Sequence, residues 1–570
     1  MAAPLPIGVL LAGALVLWLL HRRVRTWTAG GLALATILLA LGGLVPQLIR
    51  GPLEWSVVWG VLDGRALLLR LTADGATALL APLVLVCGAT VAGGLMWTLG
   101  RAATALTLSF VGLLLLLAGD LIVIASPPGL GSILGLGLAW LGMTVVQQPA
   151  TAHVGQNSFG GLTLLLLTAS AWTMAALTPD GRSTAQVGWW LLGALPLMLL
   201  GPRWSSTRAA PLLVRAPATA LGLPLLGATL LTQQALATAA DWPPRLVMLV
   251  VLAGVGGLAL GALNALAART LSDAFAWQVT AQLALIAVVF GTGRPEAGPM
   301  ALGLLAHAAV TTSAMALAIG QLERVTRHEA FGTMPPLPQP LRRAGLAYGL
   351  AALSCAGLPP LLGYALRRVV VVLAGLAQPW LPPLMLALST LLALSYLPTL
   401  VVFFRRPLFR SSIRQSEQRG GGWPLLLMLG LLLAGLIPDV IWQWLLGDPA
   451  VPQAVLPGAA VWRSTAITAT LTLIVFGLVN RALRRPRPVV PFSGGEPIDE
   501  EPGWALPFAA LRQIWRPLLV PTDVEGPLRQ VGERARRRLT RPLLVLERRY
   551  YLVIVVIGLI AVLLLAVQYP

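Results

Sequence analysis

Charged and reactive side chains are scarce in this sequence. Only 11% of the 570 residues are charged, and all 40 basic residues are arginine. Two cysteines and four histidines are too few and too scattered to predict a disulfide framework, a haem site or a zinc site. The sequence has no Walker loop, dinucleotide fingerprint, Cys-x-x-Cys or His-Glu-x-x-His motif. We therefore expect no cofactor, no metal and no catalytic centre within the chain.

Apolar residues, by contrast, make up 57% of the sequence and give it a mean hydropathy of +0.81. This balance excludes a soluble globular protein and predicts an all-α polytopic membrane protein. The net charge of +19 would also suit a nucleic-acid-binding protein, but arginine marks the cytoplasmic loops of membrane proteins. We expect the lipid bilayer, and no nucleic acid, as a partner.

Runs of about 20 apolar residues predict sixteen membrane spans, the twelfth being one long broken helix or two pieces. A glycine-rich run at 129–138 falls within a span, and we attribute it to close helix packing. The predicted spans are 4–20, 28–49, 75–99, 103–125, 129–147, 158–178, 186–201, 213–239, 245–266, 272–293, 298–321, 344–377, 381–404, 423–446, 459–481 and 549–568.

The placement of arginine gives the predicted orientation. Thirty-one of the 40 arginines lie in connections that follow odd-numbered spans, and six lie in connections that follow even-numbered spans. Basic residues concentrate on the cytoplasmic side of membrane proteins. We therefore expect a multi-pass protein of the bacterial cytoplasmic (inner) membrane with both termini outside.

Two connections are long enough to carry structure of their own. Residues 50–74 alternate mildly between apolar and polar positions, which predicts a small hairpin on the outer face. Residues 482–548 are rich in proline and arginine and include an amphipathic segment at 504–520. That segment is predicted either to lie in the membrane interface or to form a solvated arm docked on a neighbouring subunit.

The chain is organised around residues 298–368. An apolar span that carries His307 is followed by an arginine-rich loop and by a second apolar span, with Pro359 and Pro360 in its middle. The two prolines remove backbone donors and end the preceding helical turn, which frees carbonyl groups at membrane depth. Broken helices with buried charge beside them are where transporters keep ion sites.

Arg367 and Arg368 follow this break. An arginine at the centre of a membrane helix costs about 2.5–3.5 kcal/mol on insertion scales, so it needs freed carbonyls, water or a carboxylate as a partner. Because arginine stays protonated, the pair can gate or balance charge but cannot readily carry a proton. We include both residues among the charge-relay candidates.

The other ionisable candidates within spans are few. Asp120 is a proton-path candidate or an ordinary end residue at the outer mouth of its span. His307 titrates near neutrality and either relays protons or bonds a nearby hydroxyl such as Thr311 or Thr312. Asp273 is interpreted as a helix-start residue.

Several segments, in this order, resemble the antiporter-like membrane subunits of complex I, of membrane-bound hydrogenases and of Mrp-type cation/proton antiporters. The most specific are the histidine-bearing helix and the Gly-Leu-Pro-Pro break. The segments are LTADGATALLAPLV (71–84), AGDLIVIAS (118–126), RAPATALGLPLLGATLL (215–231), LSDAFAWQVTAQLALIAVVFGTG (271–293), LLAHAAVTTSAMALAIG (304–320), LSCAGLPPLLGYALRR (353–368), GLIPDVIWQWL (435–445) and PFSGGEP (491–497).

The resemblance implies two inverted five-helix repeats, each with a broken helix, within a subunit of a redox-driven proton translocase. The expected hinges are Pro217 and Pro224 in the first repeat and Pro359 and Pro360 in the second. The expected division is 1–102 (N-terminal helices with the outer loop), 103–239 (first repeat), 245–404 (second repeat), 405–481 (two further helices), 482–548 (cytoplasmic interfacial arm) and 549–570 (final span).

The proton path of the resembled family depends on a glutamate in the fifth span and on lysines in later spans. At the corresponding positions this sequence has Gly129, Leu231 and Thr311, and the twelfth span has Arg367. A glutamate–lysine pair works because the pKa of each partner responds to the charge of the other. Gly129, Leu231 and Thr311 cannot respond in this way, so the resemblance implies a family member whose proton path is largely lost.

Three functions follow as hypotheses. The leading one is a membrane subunit of a complex I-like or hydrogenase-like assembly with a scaffold or coupling role, partnered by other membrane subunits. The second is an active proton or cation translocator that uses Asp120, His307, Arg367 and water. The third is a polytopic lipid-processing enzyme, for which Asp63 and Asp74 in the outer loop are the acidic candidates.

Overall fold

The computed structural model describes residues 4–50, 53–62, 65–73, 75–99, 107–126, 130–147, 191–199, 220–238, 244–268, 270–294, 296–326, 342–358, 361–404 and 423–436. Nearly all of these residues are helical, as the predicted all-α fold requires. The predicted spans near 158–178, 459–481 and 549–568, and the predicted arm at 482–548, lie outside these ranges. The count of sixteen spans and the domain boundaries therefore stay predictions.

Among the described residues, the helices follow one another along the chain and a pair of strands lies near the start. In order they are α1 Leu5–Leu20, α2 Thr26–Arg50, β1 Leu53–Leu62, β2 Arg65–Ala73, α3 Gly75–Leu99, α4 Thr107–Ala125, α5 Leu130–Gln147, α6 Leu223–Thr238, α7 Pro244–Ala267, α8 Leu271–Phe290, α9 Ala297–Thr326, α10 Arg342–Ala356, α11 Leu362–Ala377, α12 Leu381–Ser395, α13 Leu397–Phe404 and α14 Trp423–Leu436. Residues 191–199 are also helical.

The helices fall into an inner and an outer set. In the described ranges, seven helical stretches are long and apolar enough to cross a membrane. Of these, α4 and α8 have 89% of their apolar stretch buried and α9 has 94%, whereas α2 has 33% and α7 39%. The exposed side chains of the outer set include Leu39 on α2 and Leu252 on α7. Such faces suit contact with lipid, because lipid tails impose no cost on exposed leucine.

The hairpin predicted within residues 50–74 is confirmed. Strands β1 and β2 pair antiparallel from Leu53 opposite Ala73 to Leu62 opposite Arg65, with an irregularity in register between Val58 and Gly60. The hairpin is fixed to the bundle because the hydroxyl of Thr72 donates to the carbonyl of Ala125, at the end of α4, over 3.2 Å.

Helices α4 and α5 pack through glycines on both sides. A Cβ atom on Gly112 would lie 2.5 Å from the carbonyl oxygen of Gly142, and one on Gly119 would lie 2.6 Å from that of Gly135. No real side chain fits at such distances, so the two backbones touch directly. Small residues at seven-residue spacing permit this approach in membranes, where backbone packing replaces the hydrophobic effect. The predicted role of the 129–138 run is thereby confirmed at Gly135.

Helices α7 and α8 repeat this arrangement in the second half of the chain. A Cβ on Gly254 would lie 2.7 Å from the amide nitrogen of Val288, and one on Gly261 would lie 2.8 Å from that of Ala281. Each half of the described chain therefore has a helix pair, α4–α5 and α7–α8, whose backbones approach through glycines at two positions; we call these the two glycine-packed helix pairs.

The predicted twelfth span is two helices, and the break between them lies where the sequence placed it. Helix α10 ends at Ala356, and Gly357 follows with φ +76°, a conformation that favours glycine. The amide of Gly357 donates to the carbonyl of Ser354 over 2.9 Å, which closes the last turn. Helix α11 begins at Leu362. The hinge residues Pro359 and Pro360 themselves lie outside the described ranges.

The predicted span near 381–404 also divides, which the sequence did not indicate. Helices α12 and α13 meet at Tyr396, whose amide donates to the carbonyl of Ala393 over 3.3 Å. Pro398, the second residue of α13, has no amide hydrogen, so the helical ladder is weakened at the junction. The side chain of Tyr396 is almost fully buried, with 1% of its surface exposed.

Candidate functional site

Six buried polar side chains form a network where α8, α9 and α10 pack together with the α12–α13 junction. We call this network the polar cluster. Its members are Gln282 on α8, His307 and Thr311 on α9, Ser354 and Cys355 on α10, and Tyr396 at the junction. Each is less than a tenth exposed. A buried polar group is costly unless it is hydrogen-bonded, so the contacts of these side chains decide whether the cluster holds the fold together or strains it.

Gln282 is the centre of the polar cluster. Its side-chain amide donates to the Sγ of Cys355 over 2.8 Å and to the hydroxyl of Tyr396 over 2.9 Å. Its Oε1 lies 3.3 Å from the hydroxyl of Thr311, which shares its one hydrogen with the closer carbonyl of His307 at 2.8 Å. One side chain thus ties α8 to three other segments, and all of its hydrogen-bonding groups are used.

His307 contacts the break between α10 and α11. Its Nε2 lies 2.8 Å from the Oγ of Ser354, and the amide of Gly363, in the first turn of α11, donates to the same Oγ over 3.3 Å. We predicted, as one alternative, that His307 bonds a nearby hydroxyl such as Thr311 or Thr312. It does contact a hydroxyl, but that of Ser354. Because helical geometry turns the two threonine hydroxyls back onto their own helix, each bonds a carbonyl four residues earlier.

Gln278, one turn before Gln282 on α8, extends the hydrogen bonding to the α12–α13 junction. Its amide donates to the carbonyl of Ser395 over 2.9 Å, and its Oε1 accepts from the hydroxyl of Tyr348 over 3.3 Å. The Ser395 carbonyl lies near the end of α12, where helix carbonyls lack partners within the helix. Gln278 therefore satisfies the backbone where the thirteenth predicted span divides.

Arg367 lies one and a half turns into α11 and reaches back over the break. A Cβ on Gly357 would lie 2.5 Å from its Cδ, so the aliphatic part of the arginine occupies the space that the glycine leaves. Both terminal nitrogens are buried and have no hydrogen-bond partner among the described residues. The guanidinium is within electrostatic reach of Cys355 and Tyr396. The structure therefore brings Arg367 to the polar cluster, as a charge beside neutral groups.

Arg368 is partly exposed and does not join the polar cluster through any described hydrogen bond. One of its terminal nitrogens is buried without a partner among the described residues.

Asp120 lies on a different face of the protein interior. It is on α4, which packs chiefly against α1, α3 and α5, and only 1% of its surface is exposed. Neither carboxylate oxygen has a hydrogen-bond partner within the described ranges. It is buried and is followed by five more helical residues; its two interpretations, a proton-path candidate and an ordinary end residue at the outer mouth of its span, stay predictions.

Asp273, by contrast, occupies the position expected of it. It lies in the first turn of α8, and its amide donates to the hydroxyl of the N-cap residue Thr270 over 3.1 Å. A carboxylate there also complements the positive end of the helix dipole.

The remaining predicted positions are only partly described. Leu231 is buried in α6. Residues 220 and 221 are helical, the helix is interrupted at Gly222, and Pro224 is the second residue of α6, so the interruption lies beside the predicted hinge. Thr311 belongs to the polar cluster. The positions outside the described ranges are Gly129, Pro217, Pro359, Pro360, Asp63 and Asp74.

Sequence reasoning missed most of the polar cluster. Gln282, Ser354, Cys355 and Tyr396 are uncharged, and charge was the signal used to choose candidates. Polar residues inside otherwise apolar runs, such as Gln278 and Gln282 in LSDAFAWQVTAQLALIAV, would have identified it. The ranges that the structure describes contain no group of three or more potential metal ligands.

The fold of the chain is shared with subunits of large membrane complexes. It matches a chain of the Mrp complex from Dietzia sp. DQ12-45-1b with a TM-score of 0.66 and 20% identity, covering 98% of this chain and 63% of that one. It matches a chain of respiratory complex I from Thermus thermophilus with a TM-score of 0.60 and 18% identity, covering 76% of this chain and 98% of that one.

A third match is a chain of the membrane-bound sulfane sulfur reductase, an archaeal respiratory membrane complex. Its TM-score is 0.63 at 15% identity, covering 79% of this chain and 97% of that one. No protein-family model and no curated protein matches the sequence. The predicted resemblance to antiporter-like subunits is thus confirmed at the level of fold. This chain spans less than two thirds of the length of the Mrp chain.

Proposed function

We propose that this protein is an integral membrane subunit of a complex I-like or hydrogenase-like assembly, in which it acts as a scaffold or coupling element with its proton path largely lost. The observation that carries the proposal is the chemistry of the polar cluster. At the break of the second-half helix, where a relay needs titratable pairs, the polar cluster has a single histidine, His307, among glutamine, threonine, serine, a thiol and a phenol.

The hydrogen bonds of the polar cluster favour structure over transport. A relay must exchange partners as protons move, whereas Gln282 holds four segments in one arrangement with its full set of donors and acceptors in use. The nearby Arg367 stays protonated and cannot accept a proton from His307. These features suit a rigid group of helices, held together at Gln282, that transmits movement between neighbouring subunits.

Isolation of the chain from its native membrane tests this proposal. A tagged copy, extracted in a mild detergent, is expected to bring down other polytopic membrane subunits together with redox subunits that contain iron–sulfur centres. A tag on an unrelated polytopic protein of the same membrane controls for incomplete solubilisation. Recovery of the chain as a stable monomer, with nothing enriched over that control, would contradict the proposal.

A second candidate, residual conduction, is favoured by one observation. Asp120 is a buried carboxyl group without a described partner, and a carboxyl group in such a place is able to bind and release a proton or a cation. If this residue conducts, proton flux in proteoliposomes falls in Asp120→Asn and is unchanged in Glu54→Gln, a change of an exposed carboxylate on the hairpin.

We propose the bacterial cytoplasmic membrane as the location, with both termini outside. The distribution of arginine between connections supports this orientation. Epitope tags on the two termini are expected to be accessible in intact spheroplasts. A tag that becomes accessible only after permeabilisation would reverse the orientation.

A further inference from the structure

The guanidinium of Arg367 is a buried positive charge without a described counter-charge. Both terminal nitrogens are buried, and the side chain lies along Gly357 at the break between α10 and α11. Removing a charged group from water costs several kcal/mol unless a partner of opposite charge compensates it. Arginine cannot escape this cost by losing its proton, because it stays charged under all physiological conditions.

The described side chains around Arg367 are hydrogen-bond donors and carry no negative charge. The hydroxyl of Tyr396 and the thiol of Cys355 each accept a hydrogen bond from Gln282 and keep their own hydrogen to donate. The hydroxyl of Ser354 already accepts from the amide of Gly363. The described side chains around the guanidinium are therefore polar and carry no negative charge.

The described carboxylates on α8 and α9 lie far along those helices from Gln282 and His307, the residues of the polar cluster on the same helices. The described acidic residues are Glu54, Asp120, Asp273, Glu296 and Glu323. At about 1.5 Å per residue, Asp273 is roughly 13 Å along α8 from Gln282. By the same rise, Glu296 and Glu323 are roughly 16 Å and 24 Å along α9 from His307. Asp120 is on α4, which packs against α1, α3 and α5.

The start of α11 adds further positive potential at the same place. Its N-cap residue, Leu361, has an extended backbone and no side chain that can accept a hydrogen bond from the first turn. The amides of Gly363 and Tyr364 in its first turn already donate, to the Oγ of Ser354 and to the carbonyl of Leu361, but the helix dipole still gives the start of α11 about half a positive charge. Arg367 reaches back towards this helix start, so two positive sources converge on the break.

We propose that a small inorganic anion, of which chloride is the biological example, binds at the break between α10 and α11 and is held by the Arg367 guanidinium. An anion supplies Arg367 with the acceptor and the counter-charge that no described residue provides. Water supplies an acceptor but no charge, and it brings two more hydrogens that need acceptors of their own. This site is structural, and it stands whether or not the protein conducts protons.

Anion-dependent stability of the full chain tests the proposal. The purified protein, in detergent or within the complex that it purifies with, is compared in chloride, bromide and gluconate at constant ionic strength. Ligands that bind only the folded state raise the melting temperature. We expect a saturable rise of a few degrees in chloride and bromide over gluconate, and none in Arg367→Gln.

Arg294→Gln is the matched control. Arg294 is exposed and donates to the carbonyl of Leu376 at the other end of α11, so its replacement should leave the anion response intact. An equal response in wild type and Arg367→Gln would overturn the proposal, as would a melting temperature that does not depend on the anion.

Because Arg367→Gln is not certain to fold, a measurement on the wild-type protein stands beside it. Crystals grown in bromide are expected to show an anomalous peak within about 4 Å of the guanidinium nitrogens, the range of a close ion contact. Bromide peaks confined to the protein surface would count against the site independently of any variant.

Discussion

The two glycine-packed helix pairs differ in what their polar side chains do. In α4 the buried polar groups stand alone: Asp120 and Ser109 have no hydrogen-bond partner among the described residues. In α8, Gln278 and Gln282 each contact at least two partners. Close backbone packing needs only small residues, and it is alike in both pairs. The difference therefore lies in the hydrogen bonds between segments: the buried glutamines of α8 join it to other helices, and we expect Ser109 and Asp120 of α4 to contribute little to stability.

The largest expected effect comes from the packing that the two pairs share. A Cβ added at Gly142 would be 2.6 Å from the carbonyl of Gly112 and closer still to the amide of Leu116, both of them backbone atoms that cannot move aside. Gly142→Ala should lower the free energy of unfolding by about 3 kcal/mol, the upper part of the range for overpacking. Detergent-induced unfolding followed by circular dichroism measures it.

Gly137→Ala is the control on the same helix, since nothing lies within 4 Å of the added atom. It should be neutral or slightly stabilising, because alanine favours the helix over glycine. Equal destabilisation by both changes would show that the close approach of α4 and α5 is not what matters.

The next largest loss of stability is expected at Gln282, in the second half of the chain. Gln282→Leu removes the donor to Cys355 and Tyr396 and the acceptor of Thr311 at one step. Leaving such groups unsatisfied in a buried site costs about 1–3 kcal/mol. The same unfolding assay should show this loss, with Asn264→Leu, which removes a solvent-accessible hydrogen bond to the carbonyl of Leu260 on α7, near zero. A neutral Gln282→Leu would remove the claim that the polar cluster stabilises the fold.

A smaller loss is expected at the break. Ser354→Ala deprives His307 Nε2 and the amide of Gly363 of their shared partner, at a cost of about 1–2 kcal/mol. Thr390→Ala, which removes an exposed hydroxyl on α12, should cost less than about 0.5 kcal/mol. If the two variants unfold alike, Ser354 does not fasten α10 to α11.

The smallest effect, and the one of opposite sign, is expected on α4. Asp120→Leu replaces a buried carboxyl group without a described partner by an apolar side chain, which should leave stability unchanged or raise it. A loss above about 1 kcal/mol, the usual worth of a hydrogen bond, would show that Asp120 has a partner that contributes to folding.

How much of this could be predicted depended on whether the signal was local. The hairpin, the break after Gly357 and the helix start at Asp273 follow from short-range rules of alternation, diproline chemistry and capping, and all three are present. The bond between Gln282 and Tyr396 joins residues 114 positions apart, and no local pattern fixes which faces of distant helices meet. The wrong partner for His307 has the same cause, since Ser354 is 47 positions away.

Proton flux through the purified protein in liposomes tests the central claim most directly. With a pH-sensitive dye inside the vesicles and an imposed potential, we predict a flux no greater than that of protein-free liposomes, and the same value for His307→Ala and Asp120→Asn. A clear flux in the wild type that either substitution abolishes would contradict the loss of the proton path.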